Sequence, residues 1–521
     1  MESHPAEPAS ANLPVRERRA LLPIDPLMNG GRPLSQQLSA RAIRTAAICL
    51  LLLSSCVPAA AAAQPRNTDE KQRAIASVER HRDELIDLSD QIWRFAETAL
   101  RETRSSKLLA DYAESQGFRV ERGVAGMPTA FVASYGKGRP VIGILGEYDA
   151  LPGLSQKASS VKEPLEEGAA GHGCGHNLFG AGSFGAALAI KELIEAGDLS
   201  GTIRFFGTPA EESIGGKIYM ARDGVFDGVD ACLAWHPGTE LVADTDGSLA
   251  MVDFVVEFSG RAAHAAFDPW NGRSALDGLE IFTHALNLMR EHVRPTVRMH
   301  YSILDGGQVP NVIPERARLW CWVRDEKKTS VDALLERVRK IAEGAALATG
   351  TDSSLQVQTG SYELLVNKTG ARLLHENLDW LGPLEFTDKE QKFARRIQKA
   401  ANVEAKGLVQ EIKPFVEEPG STDRGSTDVA DVSWIVPTLH LTVTTAPQDA
   451  PWHAWPVVAT GGMSIGHKGM IYAAKALAAT MVDLYQDADR LAAIQAEFEE
   501  QTRGKTYVSY LPDGPPPVPR D

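Results

Sequence analysis

Val141-Ile142-Gly143-Ile144-Leu145-Gly146-Glu147-Tyr148-Asp149-Ala150-Leu151-Pro152 is the stretch on which the fold turns. A short apolar run, Val141–Leu145, breaks at once into a polar cluster that contains Glu147 and Asp149. A run of that length, bounded by turn residues, reads as a buried strand. Similar runs lie at Thr129–Tyr135, Thr202–Gly207 and Asp230–Trp235, with an Ala-, Leu- and Ile-rich helix from about Leu178 to Glu195 between them. Strands alternating with helices predict an α/β domain whose central sheet is mostly parallel. In such a sheet ligands bind beyond the carboxyl ends of the strands, so polar residues placed there are functional candidates.

Upstream, Ile75, Val78, Leu85, Ile86, Ile92, Trp93 and Phe95 recur at helical spacing over residues 70–98, and a second helix runs from about Ser105 to Gln116. Downstream the pattern changes near Gly247. Strands at about 248–259, 297–304, 317–325 and 354–358 are interleaved with helices at about 273–292 and 330–347. That order, βαββαβ, predicts a ferredoxin-like unit inserted into the larger domain. The expected boundaries are 1–63 for a targeting segment, 68–247 and 363–502 for the two parts of the larger domain, and 248–362 for the insert. Residues 503–521 form a Pro-rich tail expected to lack fixed structure.

The chain has 521 residues, enough for two or three domains of roughly 100–200 residues each. Its net charge of −14 argues against nucleic acid as the main partner. Five cysteines are too few for a disulfide scaffold. Arg41 and Arg44 precede the apolar run Ala46–Leu53, and small residues continue to Ala63. This pattern predicts a secretory signal, and hence an exported, periplasmic protein. Leu53-Ser54-Ser55-Cys56 suits attachment of a lipid to Cys56, the one membrane contact expected, whereas Ala61-Ala62-Ala63 suits ordinary cleavage. Met28 is an alternative start. Cys232 and Cys321 lie in apolar strand-like runs and read as small buried hydrophobes.

Five polar clusters fall at strand ends or loops of the larger domain: Gly146–Pro152, Gly171–Asn177, Pro209–Glu212, Trp235–Pro237 and Pro451–His453. Thiolate, imidazole and carboxylate are the side chains that bind divalent transition metals. In Cys174-Gly175-His176 the glycine lets the backbone turn two such donors toward one point. Glu211 and Glu212 are neighbours, and in an extended segment neighbouring side chains diverge. One could then bind metal while the other takes a proton from water, and Glu211 as base with Glu212 as ligand is the favoured assignment. Asp428 and Asp431 read as solvated loop carboxylates.

Taken with Gly260–His264, Gly306–Pro314, Ser426–Asp428 and His467–Met470, these clusters resemble the dinuclear metallopeptidase family of aminoacylases, carboxypeptidase-G-type enzymes and amidohydrolases. The resemblance implies a zinc-peptidase-like catalytic domain interrupted by a lid that dimerises. It implies two divalent metal ions, Zn or Mn, bridged by Cys174. His176 and His236 would complete one site, and Glu212 and His453 the other. Asp149 would orient a ligand histidine, and Glu211 would be the base. His264 would reach from the lid into a neighbouring subunit's site, and Asn311 would help hold substrate. Asn177 stands where many relatives have Asp, and His467-Lys468 is a further departure from the generic pattern.

The expected activity is metal-dependent hydrolysis of the amide bond of an N-acyl or N-aroyl amino acid, a small-molecule substrate. Two alternatives remain at this level: a dipeptidase acting on free-amine dipeptides, and a metal-bearing subunit that needs a related sister chain. A nucleophilic hydrolase is a distant third reading.

Overall fold

The computed structural model describes residues 68–417 and 425–518. The predicted targeting segment, with Cys56, and residues 519–521 lie outside them. Eleven strands are described: β1 (Arg119–Arg122), β2 (Phe131–Gly136), β3 (Val141–Glu147), β4 (Thr202–Thr208), β5 (Ala231–Gly238), β6 (Val242–Ala243), β7 (Ala250–Ser259), β8 (Arg298–Asp305), β9 (Arg316–Asp325), β10 (Asp352–Ser361) and β11 (Thr438–Thr444). Seven form one sheet in the order β1-β2-β4-β3-β5-β11-β6. The four central strands, β4-β3-β5-β11, run parallel, while β1, β2 and β6 are antiparallel at the margins. β3 pairs with β4 so that Glu147 lies opposite Thr208, and β11 pairs with β5 so that Thr442 lies opposite His236. The parallel strands therefore end at one edge.

The helix His176–Ala196 packs on β3, β4 and β5 and is covered by the helices Asp69–Arg80, Arg82–Phe95 and Ser464–Gln486. It is apolar on nearly every face, as a helix sunk in a core must be. A Cβ at Gly180 would lie 2.6 Å from Glu147 O, so glycine there brings the helix against the end of β3. The single helix expected over 70–98 is two helices, interrupted at His81, whose ring bonds Glu84 and Glu192 at 2.7 and 2.9 Å.

The insert forms its own four-stranded sheet, β10-β7-β9-β8, all antiparallel. The helices Ala275–Met289 and Lys328–Thr349 join its strands in the order βαββαβ. Its core is separate, built on Val252, Phe254, Phe258, Phe282, Leu319 and Val338. Cys232 and Cys321 are buried, one in each core.

The tail departs from expectation. Residues 503–518 lack helix and strand but are seated on the body of the protein. Tyr507 Oη donates to Asp431 Oδ1 at 2.8 Å, Val508 N donates to Tyr362 Oη at 3.0 Å, and Leu511 and Val518 pack on the main core. The Pro-rich composition concealed the aromatic and aliphatic anchors that tie it down. Among the described residues, no helix is long and apolar enough to cross a membrane.

Candidate active site

Gly175 makes the turn that starts the site. Its φ of +80° caps the helix that begins at His176, and a Cβ there would meet Pro237 Cβ at 2.9 Å. Cys174 and His176 therefore face one point just beyond the ends of β3 and β5. Cys174 Sγ lies 3.3 Å from Nε2 of His236, the residue that ends the apolar part of β5. The Nδ1–H of His236 donates to Pro237 O at 2.7 Å, which leaves Nε2 with its lone pair toward the sulfur. Burial, and then the charge of His176, lower the His236 pKa to about 4, so the ring is neutral and fit to bind a metal.

Asp149 ties two parts of the site together. His176 Nδ1 donates to its Oδ1 at 2.9 Å, and the backbone N–H of Glu212 donates to its Oδ2 at 2.9 Å. On the far side of the His176 ring, Nε2 is 3.0 Å from Glu147 Oε2, at an angle that makes no hydrogen bond. Burial alone would lower the His176 pKa, but the charges of Glu147, Cys174 and Asp149 raise it well above the usual range. This pocket is built for a cation at Nε2.

The Glu pair sits in a turn rather than in the extended segment assumed from the sequence. Ala210 takes a left-handed conformation, φ +62°, and its N–H donates to Glu102 Oε1 at 3.0 Å. The turn still separates the two carboxylates. Glu212 Oε2 lies 3.3 Å from His453 Nε2, while Glu211 falls with Glu147 and His176. Burial, followed by Asp149 and Glu147, raises the Glu212 carboxyl to about 7 against an opposing effect of His176. Burial and then Glu147, Glu212 and Asp428 push Glu211 well above the carboxylate range.

Three donor sets result, each with its ligand atoms within 4.8 Å of one another: Cys174–His176–His236 and Cys174–Glu212–His453, which meet at Cys174, and Glu147–His176–Glu211 beside them. The first two share one sulfur. His176 Nε2 and Glu212 Oε1 are buried without a hydrogen-bond partner, a costly state that a metal ion relieves. One thiolate, three imidazoles and a carboxylate are a sound donor set for divalent ions.

His264 and Asn311 are not part of this group. They sit together on the lid, where Ala265 N donates to Asn311 O at 3.0 Å, and both are exposed and absent from the cavity wall. Asn177 turns away from the donors and bonds Ser89 Oγ and Gly461 O at 2.9 and 3.0 Å. His467 is taken up by Asp90 at 2.9 Å.

Sequence reasoning missed a buried ion triad. Lys217 Nζ lies 2.6 Å from both Glu147 Oε1 and Asp428 Oδ1, with all three side chains sealed from solvent. Asp428 and Asp431 are thus buried and engaged rather than solvated, Asp431 accepting from Tyr507 and from Tyr362 N. Lys217 lies 211 residues from Asp428, and nothing local in Gly215-Gly216-Lys217 distinguishes it from a surface lysine.

Above the donors opens a cavity of about 1000 Å³, walled on the lid side by Met251, Trp322, Arg324 and Thr359. Arg324 stacks on Trp322 at 4.9 Å, and burial lowers its pKa. Among the described residues it has no carboxylate partner in hydrogen-bond or ion-pair range.

A mostly parallel sheet whose strand ends gather paired metal donors, under an inserted ferredoxin-like lid, defines a dinuclear metallohydrolase. Residues 248–349 match the peptidase dimerisation domain of the M20 family. Over 473 residues the chain is 38% identical to one of the subunits of p-aminobenzoyl-glutamate hydrolase of Escherichia coli (strain K12), spanning 85% of this chain and 98% of that one. It is 29% identical to the Xaa-Arg dipeptidase of Mus musculus over 82% of this chain and 92% of that one. A crystal structure of a Bacillus subtilis dinuclear metal-binding peptidase of the M20 family shares the fold, with a TM-score of 0.55 and 20% identity over 78% of this chain and 99% of that one. The chain belongs to the M20 metallopeptidase family and is a hydrolase of amide bonds.

Proposed function

We propose that this chain hydrolyses the amide bond between an acyl or aroyl group and an amino acid, using two divalent ions that share Cys174. p-Aminobenzoyl-glutamate and its analogues are the substrate class, in keeping with the named activity of the 38% identical relative. The observation that carries the reading is the pair of donor sets meeting at one sulfur, with Glu211 beside them and, across the cavity, Arg324, which has no carboxylate partner among the described residues.

Bound divalent ions would polarise the scissile carbonyl and lower the pKa of an attacking water toward ~7. Glu211 takes the proton from that water and passes it to the departing amine nitrogen. Asp149 fixes the His176 tautomer and the Glu212 backbone together. Arg324 receives the substrate carboxylate in a charge-assisted pair. His264 Nδ1 accepts from the N–H groups of Ala266 and Phe267 at 3.2 and 3.1 Å, which leaves Nε2 as the donor. We assign that donor to the carbonyl oxygen in a second copy's site, because His264 does not face its own cavity.

A homodimer through the lid fits this assignment. β8 is an edge strand of the lid, and Ile303 and Leu304 on it, with Leu288 on the neighbouring helix, are exposed. Among the described residues, the acidic side chains of the cavity wall outside the Glu pair are already engaged: Asp428 by Lys217 and Glu240 by Lys413 at 2.5 Å. This disfavours the dipeptidase alternative. The apolar run before Ala63 supports export to the periplasm, with Zn or Mn loaded there.

The test is a substrate panel on metal-defined protein without added partner. Turnover of N-aroyl and N-acyl amino acids above that of free-amine dipeptides supports the reading. A preference for the dipeptides, or activity that appears only with a sister chain, overturns it.

A further inference from the structure

Trp452 lies against the metal donors although it has no metal-binding atom of its own. Its indole Nε1–H points at Cys174 Sγ, 3.2 Å away, and its ring lies 6.1 Å from the His236 imidazole. An indole N–H can only donate, so the sulfur accepts. The next residue, His453, donates its backbone N–H to Gly173 O at 3.2 Å. Two successive residues of one loop are thus fastened to two successive residues of another. His453 takes a φ of +52°, a left-handed conformation that is strained for a residue with a Cβ. Such a strained ligand stays in place only where its surroundings hold it.

We infer that Trp452 is a positioning residue that holds the Cys174 sulfur by an N–H···S hydrogen bond and tempers its strength as the shared ligand. The inference rests on Cys174 bridging the ions. A thiolate has three lone pairs: two can go to cations, and the third accepts the indole N–H. That hydrogen bond lowers the energy of the sulfur electrons and leaves more positive charge on the ions, where it can act on a carbonyl. The same contact fixes the loop on which His453 stands, so one indole serves both donor sets.

The test is cobalt(II)-loaded protein, in which a thiolate ligand gives a sulfur-to-cobalt charge-transfer band. Trp452→Phe keeps an aromatic ring and loses the donor. Benzothienylalanine at position 452 keeps the shape of the bicyclic ring and also lacks the N–H, which guards against a Phe variant that fails to fold. Both are expected to move the band to longer wavelength, because the sulfur becomes the stronger donor, and to weaken cobalt binding by ~10-fold, because the loop that carries His453 is freed. They should lower kcat more than they raise KM. A benzothienylalanine protein whose band stays at the wild-type wavelength overturns the role of the N–H. A wild-type protein with no thiolate band at all removes Cys174 from the ions, and so defeats the proposed bridge instead.

Discussion

At the floor of the cavity, Cys174, His176 and His236 are held by Trp452, Asp149 and Pro237, each through a hydrogen bond that fixes which atom faces inward. At the tip of the lid, His264 is held as firmly, by Ala266 and Phe267, yet it stands exposed with Phe267 and Trp270 beside it, 78% and 71% exposed. The first region is complete within one chain. The second presents a fixed donor and large apolar rings to solvent, an arrangement that makes sense when another molecule covers it. On the proposed assignment of His264, metal binding belongs to a single chain, and completion of the catalytic site belongs to a pair of chains.

Removing the shared sulfur has the largest expected effect. Cys174→Ala should release metal and abolish turnover, read by metal content per chain, and a variant that keeps its metals breaks the bridging assignment. Glu211→Gln should leave metal content unchanged while kcat falls by ~10²–10⁴. His264→Ala should cost ~10²–10³ in kcat, again with metals retained. Mixing His264→Ala chains with Glu211→Gln chains should restore activity, since each mixed dimer carries one site with both groups intact. Absence of recovery would place His264 outside the partner's site and erase the contrast between the two regions.

Arg324→Ala should mainly raise KM for carboxylate-bearing substrates, by the ~1.5–3 kcal/mol typical of a hydrogen bond to a charged group. Equal KM for substrates with and without the carboxylate would remove Arg324 from recognition. The smallest effect is on stability. Burial, and then the charge of Asp149, raises the Glu102 pKa to about 8, above its ordinary value of 4.5. The folded protein thus holds a proton that the unfolded chain releases, and stability from this group is lost as pH rises from 4.5 to about 8. Glu102→Gln, which keeps an acceptor for Ala210 N, should gain in relative Tm across that window and level off above it. A Tm difference independent of pH would show that Glu102 ionises normally.

Much of this was legible in the sequence because it was local. Val141–Leu145 followed by Glu147 and Asp149 marks a strand and the edge where chemistry gathers, and the βαββαβ order of the lid follows from periodicity alone. Cys174-Gly175-His176 is legible because only glycine fits that turn. The Lys217–Glu147–Asp428 triad was not legible, since each member looks like an ordinary charge until the chain brings β3 and the Asp428 loop together. The role of Asn177 was equally hidden: its partners, Ser89 and Gly461, lie 88 and 284 residues away. The Glu pair was assigned on an extended geometry that the left-handed Ala210 replaces with a turn.

Tyr507 and Val508 clasp Asp431 and Tyr362, and Lys328 at the start of a lid helix stands 4.6 Å over the ring of Tyr510. The seam between insert and body is therefore sewn by residues 507–510, which belong to neither sheet. A growing polypeptide carries all its metal donors, the last of them His453, before it reaches the Tyr507 that locks the lid's root. A truncation ahead of Tyr507 would therefore disturb lid placement before it touched the chemistry.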